Sequence, residues 1–333
     1  MPVIALALLF AFDRVAAGLG NAYVAQVLVL VGINIILAVS LNLINGFTGQ
    51  LSIGHAGFMA IGAYVAAALS VYGGAEMQAF FHESLHLPMA LSRALFFVAV
   101  ILAGGLSAAV AGVLVGIPTL RLRGDYLAIA SLGFGEIIRI IILNIDAVGG
   151  ARGFSVVPSN YDYDVRFEGI FETYAMVLLT IVAIWHLAYS TRGRAYVAVK
   201  NDEIATESLG ISATRVKTEA FVVAAFFGGV AGVLFSQSQG YVHTNSFTFL
   251  RSVEILVFVV LGGMGSITGS IVAAVVLTIV PEAFRDLSQY RMPAYALVMI
   301  AMMVWRPQGL FGRSEMSLAF LGRLLPGTKK EDQ

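Results

Sequence analysis

One five-residue stretch of the sequence has the residue types and spacing of a zinc hydrolase. In His82-Glu83-Ser84-Leu85-His86, two histidines one helical turn apart could bind a metal ion while the glutamate polarises a water molecule. The stretch lies in a short segment closed by Pro88, and no further His or Glu stands in a helical setting to complete the ligand set. We therefore predict an external loop without a metal site here, and keep a membrane zinc protease as an alternative.

Three ionisable residues fall inside apolar stretches, where charge is costly and often functional. Glu136 and Arg139 are three residues apart and share one helix face, so they can neutralise each other as a structural pair. His55 directly follows Gly54 and is expected to be a hydrogen-bonded residue at a helix start. An ion-coupled secondary transporter would instead use Glu136 and His55 as ion sites.

A short helix with one apolar face is expected within the basic segment 191–217. Asn201 can cap it, acidic residues occupy its first turn, and Gly210 ends it. The apolar face would consist of Ile204, Ser208 and Leu209. Such a helix has no core of its own, so it must dock against a partner or lie as an amphipathic linker on the bilayer surface.

The composition shows which solvent surrounds these elements. Hydrophobic residues make up 59% of the 333 residues and charged residues 12%, against about 25% charged in soluble domains. The 20 basic and 20 acidic residues cancel, which argues against a nucleic-acid partner. With no cysteine, disulfides and thiolate metal sites are excluded. The sequence predicts an all-α polytopic integral membrane protein with about eight to ten transmembrane helices, including broken or re-entrant half-helices.

Apolar runs define the spans. We expect a retained N-terminal helix rather than a signal peptide at residues 1–19. The final run, 293–305, is short. Residues 253–280 are interrupted by glycines at 262–269 and read as two half-helices around a break. Six further runs are the clearest spans: 22–45, 55–72, 94–117, 126–143, 174–190 and 218–240.

The distribution of basic residues predicts the orientation, because Lys and Arg near helix ends stay on the cytoplasmic side. Twelve of the 20 basic residues lie at Arg121 and Arg123, in 192–217 and in 306–330, which places these segments inside. The loops 73–92 and 146–172 are then external. For the basic tail to end inside, the two half-helices of 253–280 must enter and leave by the external face.

The break at 262–269 resembles an earlier Gly-rich stretch at 46–52. Each has a Gly, a second Gly three residues later and a hydroxyl residue three residues after that. In transporters, paired interruptions of this kind point to the pathway, whereas the alternative is that the glycines only allow close helix packing. The candidate pathway or structural residues are therefore Gly49, Gln50, Ser52, His55, Gly262, Gly263, Gly265, Glu136 and Arg139.

No energy source is visible in the chain. None of the four lysines, Lys200, Lys217, Lys329 and Lys330, follows a glycine, so there is no Gly-Lys-Ser/Thr phosphate loop. We therefore expect no bound cofactor, and any ATP would be used by another subunit.

Several long motifs, spread over residues 22–312, are similar to those of one transporter family, the LivM-type permease subunits of ABC importers for branched-chain amino acids. The motifs are Ser40-Leu41-Asn42-Leu43, Gly49-Gln50-Leu51-Ser52-Ile53-Gly54-His55-Ala56-Gly57-Phe58, Gly62-Ala63-Tyr64, Leu122-Arg123-Gly124-Asp125-Tyr126, Leu132-Gly133-Phe134-Gly135-Glu136-Ile137-Ile138-Arg139, Gly193-Arg194-Ala195, Asp202-Glu203-Ile204-Ala205, Leu209-Gly210-Ile211, Leu261-Gly262-Gly263-Met264-Gly265-Ser266 and Trp305-Arg306-Pro307-Gln308-Gly309-Leu310-Phe311-Gly312.

This resemblance implies a non-enzymatic permease domain over residues 1–312, a cytoplasmic tail at 313–333 and no catalytic residues. It implies a second related permease, two cytoplasmic ATPases and an external binding protein as partners, in the bacterial inner membrane. Coupling to the ATPases would fall to Asp202, Glu203, Ala205, Leu209 and Gly210. Urea permeases share much of the pattern, so a urea or other amino acid permease is an alternative.

Overall fold

The computed structural model describes residues 22–80, 88–120, 122, 124–156 and 169–283, together with 293, 296, 297, 300, 304 and 309. Several sequence predictions lie outside these residues. They are the candidate metal motif with His82, Glu83 and His86, the apolar run 1–19, the basic pair Arg121 and Arg123, most of the run 293–305, and the tail.

The described chain is almost entirely helical. Its helices are α1 (Ala22–Asn42), α2 (His55–Tyr72), α3 (Gly74–Ala79), α4 (Met89–Thr119), α5 (Asp125–Leu143), α6 (Ile170–Tyr189), α7 (Thr191–Asn201), α8 (Glu203–Ser208), α9 (Ala213–Gln239), α10 (Phe249–Gly262) and α11 (Ile267–Ala283). A π-helical turn, Leu43–Phe47, extends α1, and 3-10 turns occur at Asp146–Val148, Gly150–Arg152 and Thr244–Phe247. Two short strands, β1 (Phe154–Ser155) and β2 (Tyr241–Val242), pair antiparallel.

Six of these helices are long and apolar enough to cross a membrane. They are α1 with its π-helical turn, α2, α4, α5, α6 and α9, and they coincide with the six runs predicted from the sequence. The all-α polytopic class is therefore confirmed. The last two described helices, α10 with 14 residues and α11 with 17, are shorter.

Glycines hold the centre of the bundle together, where α2, α4 and α9 pack. A β-carbon on Gly62 of α2 would lie 2.0 Å from the carbonyl oxygen of Gly229 in α9, and one on Gly232 would lie 1.9 Å from the carbonyl oxygen of Met59. Both distances are far below contact distance, so only glycine lets the two backbones approach this closely. Close packing of small residues is the main source of helix association in lipid.

Helices α10 and α11 fold back on each other around a short break, which we call the hairpin. Gly262 and Gly269 meet at its tip, and the Asn34 side chain of α1 bonds both Arg251 near the start of α10 and Thr278 in α11. The two helices are therefore antiparallel, and both open ends lie at the same end of the bundle, as the parity argument predicted. The break between the two helices is shorter than the predicted 262–269. Only residues 263–266 are irregular, and α11 begins at Ile267.

The two ends of the bundle differ in the expected way. At one end, the Tyr72 hydroxyl donates to the Ala147 carbonyl at 2.5 Å, and β1 in 146–172 pairs with β2 after α9. The loop 146–172, predicted to be external, therefore contacts the end of α2, where the other predicted external loop begins. The basic segment with α7 and α8 lies at the opposite end, where Arg192 pairs with Glu219 in the first turns of α9.

Candidate functional site

The segment predicted to dock a partner folds as two helices, α7 and α8, which we call the coupling element (residues 191–210). The capping role predicted for Asn201 is wrong, because Asn201 is the last residue of α7. Asp202 caps α8, because its carboxylate accepts from the Ala205 N–H at 3.0 Å. A carboxylate at this position satisfies a free helix N–H and favours the positive end of the helix dipole. Gly210 ends the element as predicted, with φ of +85°.

Two contacts anchor the coupling element to the membrane bundle. The Lys217 ammonium of α9 donates to the Glu203 carboxylate at 2.8 Å, and Lys217 is only 8% exposed. Thr206, on the same short helix, is 4% exposed and its hydroxyl donates to the Asp202 carbonyl at 2.6 Å, so this face of α8 packs against the rest of the chain. Glu203 is therefore engaged within the chain, and its role is to hold α8 against α9.

Tyr196 anchors the preceding helix, α7. Its ring is 1% exposed and its hydroxyl has no hydrogen-bond partner in the structure. The pKa of Tyr196 is raised to about 12, mainly by burial and to a smaller extent by the nearby Glu219 carboxylate, while Arg192 acts in the opposite direction. The phenol thus stays neutral at physiological pH, and its burial adds an apolar contact to the polar contacts that Arg192 and Lys200 make between α7 and the bundle.

The opposite face of α8 presents apolar side chains to the surroundings. Ile204 is 71% exposed and Leu209 is 81% exposed, and Ala205 between them is exposed as well. Large aliphatic side chains this exposed at the polar end of a membrane protein are costly in water and indicate a contact surface. Ile204, which the resemblance had not placed among the coupling residues, therefore belongs to this surface.

The first Gly-rich stretch is an unwound segment between α1 and α2. Residues 48–54 are irregular, although Thr48, Gln50 and Ser52 are each at most 5% exposed. Asn45 partly replaces the missing helical bonds, because its side-chain oxygen accepts from the Ser52 N–H at 3.1 Å. Both polar atoms of the Gln50 side chain and the Ser52 hydroxyl have no partner among the described residues. Buried polar groups are normally hydrogen-bonded, so these are groups that a solute or water could satisfy.

His55 begins α2 and is fully buried, as expected of a hydrogen-bonded residue at a helix start. Its Nε2 lies 2.9 Å from the Ser40 hydroxyl, which itself bonds the Leu37 carbonyl at 3.1 Å. Because the Ser40 hydroxyl donates its proton to the Leu37 carbonyl, it can only accept from Nε2. Nε2 therefore carries the imidazole proton, and Nδ1 is left as an acceptor. Within the part of the chain that the structure describes, Nδ1 has no partner.

The second break meets the first. The Asn42 side chain accepts from the Gly265 N–H and donates to the Ser266 carbonyl, both at 2.9 Å. A β-carbon on Gly46 would lie 2.4 Å from the Gly265 nitrogen, so the second break touches the π-helical turn that directly precedes the first break. Gly262 packs equally tightly on Gly269, while Gly263 and Gly265 have positive φ values of 112° and 98°. These glycines permit close packing, and they also form two adjacent stretches of non-helical backbone.

Glu136 and Arg139 meet as predicted, with Arg139 Nε 2.7 Å from Glu136 Oε2. The sequence did not reveal a second partner: the other carboxylate oxygen accepts from the Phe249 N–H at 3.1 Å. Phe249 is the first residue of α10, so Glu136 caps the hairpin from a neighbouring helix. The Glu136 carboxylate, halfway along an apolar helix, thus has two roles: it pairs with the Arg139 guanidinium, and it accepts from the free N–H at the start of α10.

Two further charged residues went unnoticed in the sequence. Arg251 bonds Glu254 and Asn34, both at 2.6 Å, at the start of the hairpin. Lys200 of α7 donates to the carbonyl of Gly46. The bond from Arg251 to Asn34 joins residues 217 apart, and the bond from Lys200 to Gly46 joins residues 154 apart. Local sequence therefore carries no signal for these two contacts.

Among the described residues, no group of three His, Cys, Asp or Glu side chains is placed to hold a metal ion.

Comparison with known proteins gives the family. The family described as branched-chain amino acid transport system / permease component matches residues 23–305. The permease protein LivM of the high-affinity branched-chain amino acid transport system of Salmonella typhimurium is 41% identical over 257 residues, covering 69% of this chain and 60% of LivM, and LivM of Escherichia coli K12 gives the same values. LivH of Escherichia coli K12, from the same kind of system, is 32% identical over 145 residues, covering 43% of this chain and 45% of LivH.

The chain thus spans about 60% of the length of the two LivM proteins it matches. No solved structure matches it significantly. The apolar helices and these relatives together make it a multi-pass membrane protein. Because the family match covers most of the chain, this protein belongs to the family of branched-chain amino acid transport permease components.

Proposed function

We propose that this chain is a permease subunit of an ATP-binding-cassette importer and forms, with a second related permease, the passage for leucine, isoleucine and valine. The observation that carries the proposal is the coupling element, which presents the exposed apolar side chains of Ile204 and Leu209 at the basic end of the bundle. A secondary transporter needs no such docking helix. The 41% identity to LivM supports the substrate class.

The chain contributes neither the ATP site nor the specificity for the free amino acid in this proposal. Two cytoplasmic ATPases bind the coupling elements of the two permeases, and an external binding protein delivers the substrate to the end that carries β1 and β2. The assembly lies in the bacterial inner membrane. The similarity to both LivM and LivH supports a pair of related permeases.

The proposed passage runs beside the first unwound segment. Gln50, Ser52 and His55 supply polar atoms without partners in an otherwise apolar interior. Unwound backbone is tolerated at membrane depth where it lines a cavity or is buried in protein. Closure of the ATPases pushes the coupling elements and shifts the permease pair between inward-open and outward-open arrangements.

The test is uptake of labelled leucine by cells that lack their own transport system for it. The chain is expressed with a second permease, two ATPases and a binding protein of this kind of importer, all from its own source organism. We expect leucine uptake that unlabelled isoleucine and valine suppress and urea does not. Suppression by urea alone would reassign the substrate, and full uptake without the ATPases would overturn the importer class.

A further inference from the structure

Lys200 connects the coupling element to both breaks in the membrane bundle. Its ammonium donates to the Gly46 carbonyl at the end of the π-helical turn that follows α1. Its aliphatic stem lies against Gly49, where a β-carbon would come within 2.8 Å of Lys200 Cγ. The ammonium also lies 3.9 Å from the position that a β-carbon on Gly265 would occupy. One side chain from α7 therefore contacts the first break and reaches the second.

The charge of Lys200 suits this position. α1 with its π-helical turn ends at Phe47, so the ammonium lies at a helix C-terminus, and Gly265 beside it follows the end of α10 at Gly262 by three residues. Carbonyl groups at helix C-termini carry partial negative charge and favour a nearby cation. A cation here offsets the negative end of α1, and a hydrogen bond from a charged donor is stronger than one from a neutral group.

Lys200 lies close in sequence to α8, the helix whose exposed face carries Ile204 and Leu209, and so links that face to the two breaks. It is two residues before Asp202, whose N–H is still bonded to Ala198 in α7 at 3.0 Å and whose carboxylate caps α8. α7 and α8 are thus joined without a flexible linker, and a displacement of α8 must displace Lys200. The alternative connection, Glu203 to Lys217, leads only into α9.

We propose that Lys200 is a positioning residue that transmits movement of the coupling element to the two breaks. At rest, the ammonium holds the end of α1 and the hairpin tip in contact. When the ATPases displace α7 and α8, the ammonium withdraws from Gly46, and the contact between Gly46 and Gly265 is released. This rests on the proposed function, since it requires ATPases docked on the coupling element.

The test measures transport and ATP hydrolysis together in the complete complex in proteoliposomes. The variants are Lys200→Met, which keeps the stem and removes the charge, and Lys200→Arg, which keeps the charge. Arg194→Met is the matched control, because it removes one charge from an exposed position on the same helix, where the guanidinium bonds only Thr191 among the contacts seen. We expect Lys200→Met to assemble and hydrolyse ATP, while leucine transported per ATP falls about tenfold, the effect of losing one charge-assisted hydrogen bond.

Lys200→Arg should restore most of the ratio of transport to hydrolysis, and Arg194→Met should leave it unchanged. A normal ratio in Lys200→Met would overturn the proposal. If Lys200→Met fails to assemble, Lys200→Gln replaces it, and a normal ratio in assembled Lys200→Gln would equally overturn it. If the wild-type complex shows no ATP-driven uptake at all, the proposed function fails, and this outcome is recognised before any variant is compared.

Discussion

The double use of Glu136 predicts an order of stability among four variants. Glu136→Gln leaves Arg139 without its carboxylate at membrane depth, and an unpaired charge at a helix centre costs about 2.5 to 3.5 kcal/mol on insertion scales. This is an upper bound, because the Arg139 side chain is 22% exposed in the chain alone. Arg139→Leu leaves the Glu136 carboxylate unpaired, but the first N–H of α10 still donates to it. We therefore expect this variant to lose roughly 0.3 to 1 kcal/mol less stability than Glu136→Gln.

The double variants separate charge from capping. Glu136→Gln with Arg139→Leu removes both charges and keeps an amide oxygen to accept from Phe249, at present 3.1 Å from the carboxylate. Glu136→Leu with Arg139→Leu removes both charges and the acceptor, and loss of a cap costs about 1 kcal/mol. We therefore expect Glu136→Gln with Arg139→Leu to be the most stable variant, followed by Glu136→Leu with Arg139→Leu. Arg139→Leu alone comes third, and Glu136→Gln alone is the least stable.

The assay is the yield and thermal unfolding of the detergent-solubilised complex, with ATP-driven uptake measured on the same samples. Glu219→Gln is the control, because it breaks the pair with Arg192, whose side chain is 71% exposed, and a surface pair contributes about 0 to 1 kcal/mol. Equal stability of the two double variants would show that Glu136 does not cap α10. A wild-type melting temperature for Glu136→Gln would refute the structural pair, and a stable double variant without uptake would favour an ion-coupling site.

Three further predictions concern other parts of the chain. Ile204→Asp with Leu209→Asp should abolish copurification of the ATPases with a folded permease, whereas Asn201→Asp, which adds charge at the end of α7, should not; retained copurification would refute docking on this face. Gly232→Ala should lower the yield of folded protein strongly, since its β-carbon would lie 1.9 Å from the Met59 carbonyl, while Gly133→Ala, with nothing within 4 Å, should be tolerated; equal yields would contradict the packing. Tyr196→Phe should melt no lower than wild type, because an unbonded buried hydroxyl destabilises by about 1 to 3 kcal/mol, and a lower melting temperature would reveal a partner for that hydroxyl.

Local pattern was enough to predict most of the helices. The six long spans follow from apolar runs of the length a bilayer requires, and the break in the hairpin follows from consecutive glycines. The placement of the basic segments on the cytoplasmic side also predicted that both open ends of the hairpin lie at the external end of the bundle. Helix α7 was missed because its apolar run, residues 195–199, is short and lies between basic residues, and the cap of α8 was assigned one residue too early.

Contacts between distant residues could not be predicted in the same way. Glu136 and Arg139 are three residues apart and were paired correctly, but the bond from Phe249 to Glu136 joins residues 113 apart. The same holds for Lys200 and Gly46, and for Asn42 with the tip of the hairpin. Which helix ends meet depends on how the bundle packs, and no local sequence pattern records it.

The most direct test of the central claim is leucine uptake into proteoliposomes that contain the complete complex, with leucine-loaded binding protein outside. ATP enclosed in the vesicles should drive accumulation, and an imposed proton or sodium gradient without ATP should not. The same vesicles made with ATPases unable to hydrolyse ATP should be inactive. Accumulation driven by an ion gradient in the absence of ATP would contradict the assignment of this chain as a permease subunit powered by partner ATPases.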